Sequence, residues 1–100
     1  MKSDTLGIIG GGQLGMFMCI AAKKIGAKTI VFSTEKNFSA KSFCDRYIQG
    51  SFDDKIKLNE FINSADVFTI ETENISKTLL RKVEKSKKLY PSSKIVEIAQ

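Results

Sequence analysis

Hydrophobic residues fall along this chain in two alternating rhythms. Leu6 to Ile9, Lys28 to Phe32, Tyr47 with Ile48, and Asp66 to Ile70 are apolar runs too short for helices and rich in β-branched and aromatic residues, as strands are. Between them, apolar residues recur at helical spacing. Leu14, Met18, Ala21, Ala22 and Ile25 line one face of a helix predicted over 13–25, and Leu58, Phe61, Ile62 and Ala65 one face of a second, capped by Asp53 or Asp54. Ser33 to Cys44 is polar and weakly patterned, which reads as a loop with one helical turn around Ala40 to Phe43. Further on, Ser76 caps a lysine-rich helix carrying Leu79, Leu80 and Val83. Lys88 to Tyr90 is a fifth strand ended by Pro91, and Ser92 or Ser93 caps a last helix with Ile95, Val96 and Ala99.

Strands thus begin roughly every twenty residues with a helix between each pair, the signature of right-handed βαβ units. The expected fold is α/β: one domain with a doubly wound, five-stranded parallel sheet of order 3-2-1-4-5, Rossmann-like in its winding.

Gly10, Gly12 and Gly15 stand between the first strand and the first helix with G-x-G-x-x-G spacing. Gly10 suits a tight turn, Gly12 close approach of a ligand to bare backbone, and Gly15 close packing of helix on strand. The helix's first-turn amides then favour an anion. A tight turn that binds nothing is the plain alternative.

In the expected order the chain reverses direction between strands one and four, opening a crevice at their carboxyl ends. The glycine turn forms one lip. The other is Glu71-Thr72-Glu73-Asn74, directly after Ile70. In an extended segment Glu71 and Glu73 point to one side. Two carboxylates repel a phosphate, so they are expected to accept from ribose hydroxyls or an amine, which favours a phosphorylated sugar-amine over a bare anion. The plain alternative for both is a solvated loop or a helix cap. A dinucleotide-binding domain instead expects an acid just after the second strand; Ser33 occupies that place and Glu35 follows two residues late.

Composition narrows the chemistry. One hundred residues, 42% of them hydrophobic and 27% charged, make a single soluble domain. Neither a signal-peptide core nor a membrane-length apolar run is present, so the expected location is the cytoplasm, without a membrane partner. There is no histidine, and Cys19 and Cys44 lack metal-ligand spacing, which argues against a metal site or a Cys-His nucleophile. Cys19, beside Met18 and Ile20, reads as a buried free thiol. The net charge of +5 comes largely from Lys77, Arg81, Lys82, Lys85, Lys87, Lys88 and Lys94. These alternate with apolar residues at helical spacing and lack interleaved aromatics, so a solvated helix face accounts for them better than a nucleic-acid surface.

The segments GIIGGGQLG (7–15), SFDD (51–54), DVFTIETENI (66–75) and LYPSSKIVEIAQ (89–100) resemble, in order and spacing, the N-terminal domain of the 5-(carboxyamino)imidazole ribonucleotide synthases. These are ATP-grasp ligases of de novo purine biosynthesis, similar in architecture to biotin carboxylase. The resemblance covers essentially the whole chain and implies that residues 1–100 are a pre-ATP-grasp, substrate-binding domain whose ATP-grasp lobes are absent from this chain. Members of the family use ATP and Mg²⁺ to activate bicarbonate as carboxyphosphate and carboxylate the amine of 5-aminoimidazole ribonucleotide. By resemblance the full-length enzyme is a homodimer. The resemblance implies that Gln13 and Leu14 contact the ribonucleotide and that Glu73 binds it from the opposite lip, and Gly12, Glu71 and Asn74 are expected to complete the substrate site.

No catalytic, cofactor or metal residue is expected in this chain. Where family members commonly carry arginine, an acid and an aromatic, this sequence has Met16, Ser33 and Thr72. The chain ends at Ala99-Gln100, inside the motif that leads into the lobes. It is therefore expected to be a truncated product or to have its lobes supplied by another polypeptide, with exposed apolar surface, and not to hydrolyse ATP alone. Two other readings stay open. A small NAD-binding module would need Glu35 and tolerate Glu73→Ala; a packing or dimerisation domain would be indifferent to Gln13→Ala and Glu73→Ala except in stability.

Overall fold

The structure, a computed structural model, describes residues 4–71, 77–86 and 88–89. Strand β1 is Thr5–Ile9, helix α1 Gln13–Lys24, β2 Lys28–Ser33, β3 Arg46–Gln49, α2 Lys55–Asn63, β4 Val67–Ile70, α3 Lys77–Ser86 and β5 Lys88–Leu89. A 3₁₀ turn at Ser39–Ser42 is the helical turn expected one residue later. All strand pairs are parallel, in the order β3-β2-β1-β4-β5. The α/β class with a parallel sheet is therefore the observed one. β5 is a two-residue extension, pairing Val67 with Lys88 and Phe68 with Leu89. The Ser76 cap, the rest of the fifth strand and the last helix lie outside the described residues.

The sheet is covered on both faces. Leu6, Ile8 and Val31 pack with Met18, Cys19 and Ala22 of α1 and with Ala40. On the other face Ile9, Ile30, Phe32 and Ile48 pack with Leu58, Phe61 and Ile62 of α2 and Val83 of α3. This alternation along β1 and β2 is the period-two pattern of strands buried on two sides. Phe52 stacks on Phe32 with ring centroids 5.6 Å apart, Phe61 meets Phe32 edge-on at 5.6 Å, and Phe68 meets Phe61 edge-on at 5.3 Å. Each fully buried ring contributes on the order of 1.5–3 kcal/mol through its area.

α1 ends where Gly26, at φ 80°, turns the chain, with Lys23 and Lys24 in the last turn beside the negative end of the dipole. Of the two candidate caps for α2, Asp54 holds the position: its side chain accepts from Lys57 N at 3.1 Å. Asp53 N instead donates to Ser51 Oγ at 3.0 Å. On α3 Val83 is buried while Arg81, Glu84 and Lys85 are exposed, as a solvated charged face requires. No helix of the described residues is long and apolar enough to cross a membrane.

Candidate functional site

The strands end together, and the backbone ties their carboxyl ends into one rim. Gly10 N donates to Phe32 O at 2.9 Å, Glu71 N to Ile9 O at 2.8 Å, and Gly50 N to Ser33 O at 3.0 Å. Because β1 lies between β2 and β4, the residues after those two strands flank the glycine turn from either side. A cleft of about 670 Å³ opens there, lined by Gly10 to Gly12, Ser33 to Glu35, Asn37 to Ser39, Phe52 and Glu71. Its size is that of a small-molecule site.

Gly10 takes φ 107°, a conformation that L side chains rarely adopt, so the chain leaves β1 through a turn that needs glycine. Gly15 serves close packing, although against the turn itself: a Cβ there would come within 2.8 Å of the Gly10 carbonyl oxygen. Gly12 differs from expectation in what approaches it. A Cβ on Gly12 would collide with Oε1 of Glu71, and one on Gly11 with the ring of Phe38. The space against the α1 N-terminus that sequence spacing reserves for a ligand's anion thus holds the chain's own carboxylate. Glu71 is on the same strand face as Val67 and Thr69, the face α1 covers, and this alternation is what aims it at the turn.

Glu71, the described residue of the second lip, therefore meets the glycine turn. Gln13 and Leu14 sit in the first turn of α1, exposed, at the edge of the cleft and outside its lining. Gly12 and Glu71 form part of the lining. Glu73 and Asn74 lie outside the described residues. Glu35, the residue on which a dinucleotide reading depends, also lines the cleft. Ser33 is occupied locally: its Oγ accepts from Glu35 N at 3.1 Å and donates to Glu35 O at 3.2 Å. Sequence reasoning passed over Phe38 and Phe52. Their signal was faint, since an aromatic in a polar loop is equally a core anchor, and Phe52 is one through Phe32.

None of the described lining residues is lysine or arginine, and two are glutamates. Such a lining accepts hydrogen bonds from hydroxyls and amines and disfavours phosphate. ATP's triphosphate does not fit these residues.

Residues 1–100 match the family model of the ribonucleotide synthetase pre-ATP-grasp domain. An N5-carboxyaminoimidazole ribonucleotide synthase of Staphylococcus epidermidis is 36% identical over 96% of this chain and 26% of its own length. The chloroplastic phosphoribosylaminoimidazole carboxylase of Vigna aconitifolia is 38% identical over 81% of this chain and 14% of its own. Among solved structures, the N5-carboxyaminoimidazole synthetase of Staphylococcus aureus in complex with ADP superposes with a TM-score of 0.82 at 34% identity, over 96% of this chain and 26% of that one. This chain thus spans about a quarter of the length of such synthases. With its whole length matched, the chain belongs to the family of ribonucleotide synthetase pre-ATP-grasp domains.

Proposed function

We propose that this chain is the N-terminal, substrate-binding domain of an N5-carboxyaminoimidazole ribonucleotide synthase and that its cleft holds part of 5-aminoimidazole ribonucleotide. The observation that carries this reading is the Glu71 carboxylate set against Gly12, closing the glycine turn from the tip of the adjacent strand. A carboxylate in that place accepts from the hydroxyls or amine of a sugar-amine, while a bare anion would have to displace it. Gln13 and Leu14 bind from the start of α1. Glu73 and Asn74 belong to the same reading as further contacts on the second lip. A complete doubly wound sheet of order 3-2-1-4-5 is part of it, supported by the β4–β5 pairing.

In the whole enzyme this domain orients the ribonucleotide amine for carboxylation. Activation of bicarbonate with ATP and Mg²⁺ belongs to lobes that this chain's residues do not provide. The ligand phosphate is then neutralised outside the described cleft. A homodimer of the whole enzyme and a cytoplasmic location complete the proposal.

Calorimetric titration with 5-aminoimidazole ribonucleotide tests it. Binding is expected, and Glu71→Gln and Gln13→Ala should each weaken it by about tenfold or more, the loss of one hydrogen bond to a charged or polar partner. Wild-type affinity in both variants would overturn the assignment.

A further inference from the structure

Across β1 from Glu71, the same cleft is walled by the end of β2 and by the segment after β3. Two phenylalanines line the cleft here, Phe38 from the α1 side of the sheet and Phe52 from the α2 side, and both rings are fixed from behind. Phe38 packs edge-on against Tyr47 with centroids 5.5 Å apart and lies over Gly11; Phe52 stacks on Phe32. The Ser33 hydroxyl closes a turn on Glu35 N and O, which holds that residue at the rim with its side chain exposed. Lys41 Nζ secures the next stretch by donating to Lys36 O at 3.2 Å.

This half of the cleft has its own chemistry. Pre-fixed phenyl rings offer apolar walls to a heterocycle at little entropic cost, and base–aromatic contact is tolerant of base identity. A carboxylate at the end of the second strand accepts both hydroxyls of a ribose diol. With Glu35 and Glu71 in one cleft and no described lysine or arginine in the lining, a phosphate is penalised.

We propose that the β2 side of the cleft is a nucleoside subsite, taking a nucleobase on the apolar lining that Phe38 and Phe52 provide and its ribose on Glu35, distinct from the ribonucleotide contacts at α1 and Glu71. The subsite goes beyond the proposed function and stands without it.

Titration of the full chain with adenosine, AMP and NAD, followed by amide NMR shifts, tests the proposal. Adenosine should move the amides of Glu35, Phe38 and Phe52, and AMP and NAD should bind about tenfold more weakly. Phe52→Leu and Glu35→Gln should each lower adenosine affinity about tenfold, and Glu71→Gln should leave it within about twofold. Glu35→Gln, at an exposed rim position, keeps the test independent of folding. No adenosine shifts, AMP binding as tightly as adenosine, or a Glu35→Gln variant binding like wild type would each overturn the subsite. Failure of 5-aminoimidazole ribonucleotide to bind would count against the proposed function alone, since the adenosine titration does not depend on it.

Discussion

A carboxylate set against a helix N-terminus offsets part of the helix's partial positive charge, worth about 0.3–1 kcal/mol in an exposed setting, and Glu71 stands in that place against Gly12. The glycine there is needed to admit a side chain of the same protein. Two residues buried where α1 meets the sheet, Cys19 of the helix and Thr69 of β4, give separate tests. Burial pushes the Cys19 thiol from its ordinary 9.0 up to about 11, against the lowering effect of a hydrogen bond with Thr29. The folded chain then keeps a proton that the unfolded chain releases, so this contribution is complete below about pH 9 and is lost as pH rises toward about 11. Thermal melts across that interval should show a falling midpoint, with a shallower fall in Cys19→Ala; equal slopes would contradict the assignment. Thr69 is fully buried with Oγ1 unpartnered among the described residues. Thr69→Val should leave stability unchanged or raise it by up to about 1 kcal/mol in chemical denaturation, because it removes a polar atom that gains nothing from burial. A loss of more than about 1 kcal/mol would show that the hydroxyl is satisfied.

Helix α2 starts where a side chain replaces a missing backbone partner, and Asp54 alone makes that bond. Asp54→Ala should therefore cost about 1 kcal/mol, and Asp53→Ala less than about 0.5 kcal/mol, in paired denaturation curves. Equal costs would mean that the cap is shared. Sequence could not choose between the two aspartates because both precede the apolar face, and the choice depends on the turn that Ser51 closes on Asp53. What was legible is what periodicity encodes. β1, β2 and β4 alternate between two cores, and α1 and α2 each turn one apolar stripe inward, so the sequence pattern gives their spans to within a residue or two. The 3₁₀ turn at Ser39–Ser42 was also visible, from Ala40 in a polar stretch. Two side chains over the glycine turn were hidden: Phe38 on Gly11 and Glu71 on Gly12 come from distant stretches, and no local pattern records a contact made across the sheet edge.

Strand order, which places one acid on each side of one glycine turn, sets the electrostatics of the described rim. β1 lies between β2 and β4, so Glu35 and Glu71 enter one cleft from opposite sides although they are far apart in sequence. Among the described residues the basic side chains lie elsewhere: Arg81 and Lys85 are exposed on α3, and no described lysine or arginine joins the lining. A triphosphate approaching the cleft meets like charge at both walls without a compensating lysine or arginine among the described residues. Nucleotide chemistry in the proposed enzyme must then rest on the part of the relatives' length that this chain does not match. The chain by itself is accordingly expected to show no bicarbonate-dependent ATP turnover in a phosphate-release assay, and no calorimetric signal for ATP under conditions where 5-aminoimidazole ribonucleotide binds. Turnover by the purified chain, surviving in a Glu35→Gln, Glu71→Gln double variant, would move the nucleotide site onto this domain and away from the cleft. Turnover lost in that variant would put it inside the cleft and reverse the charge argument.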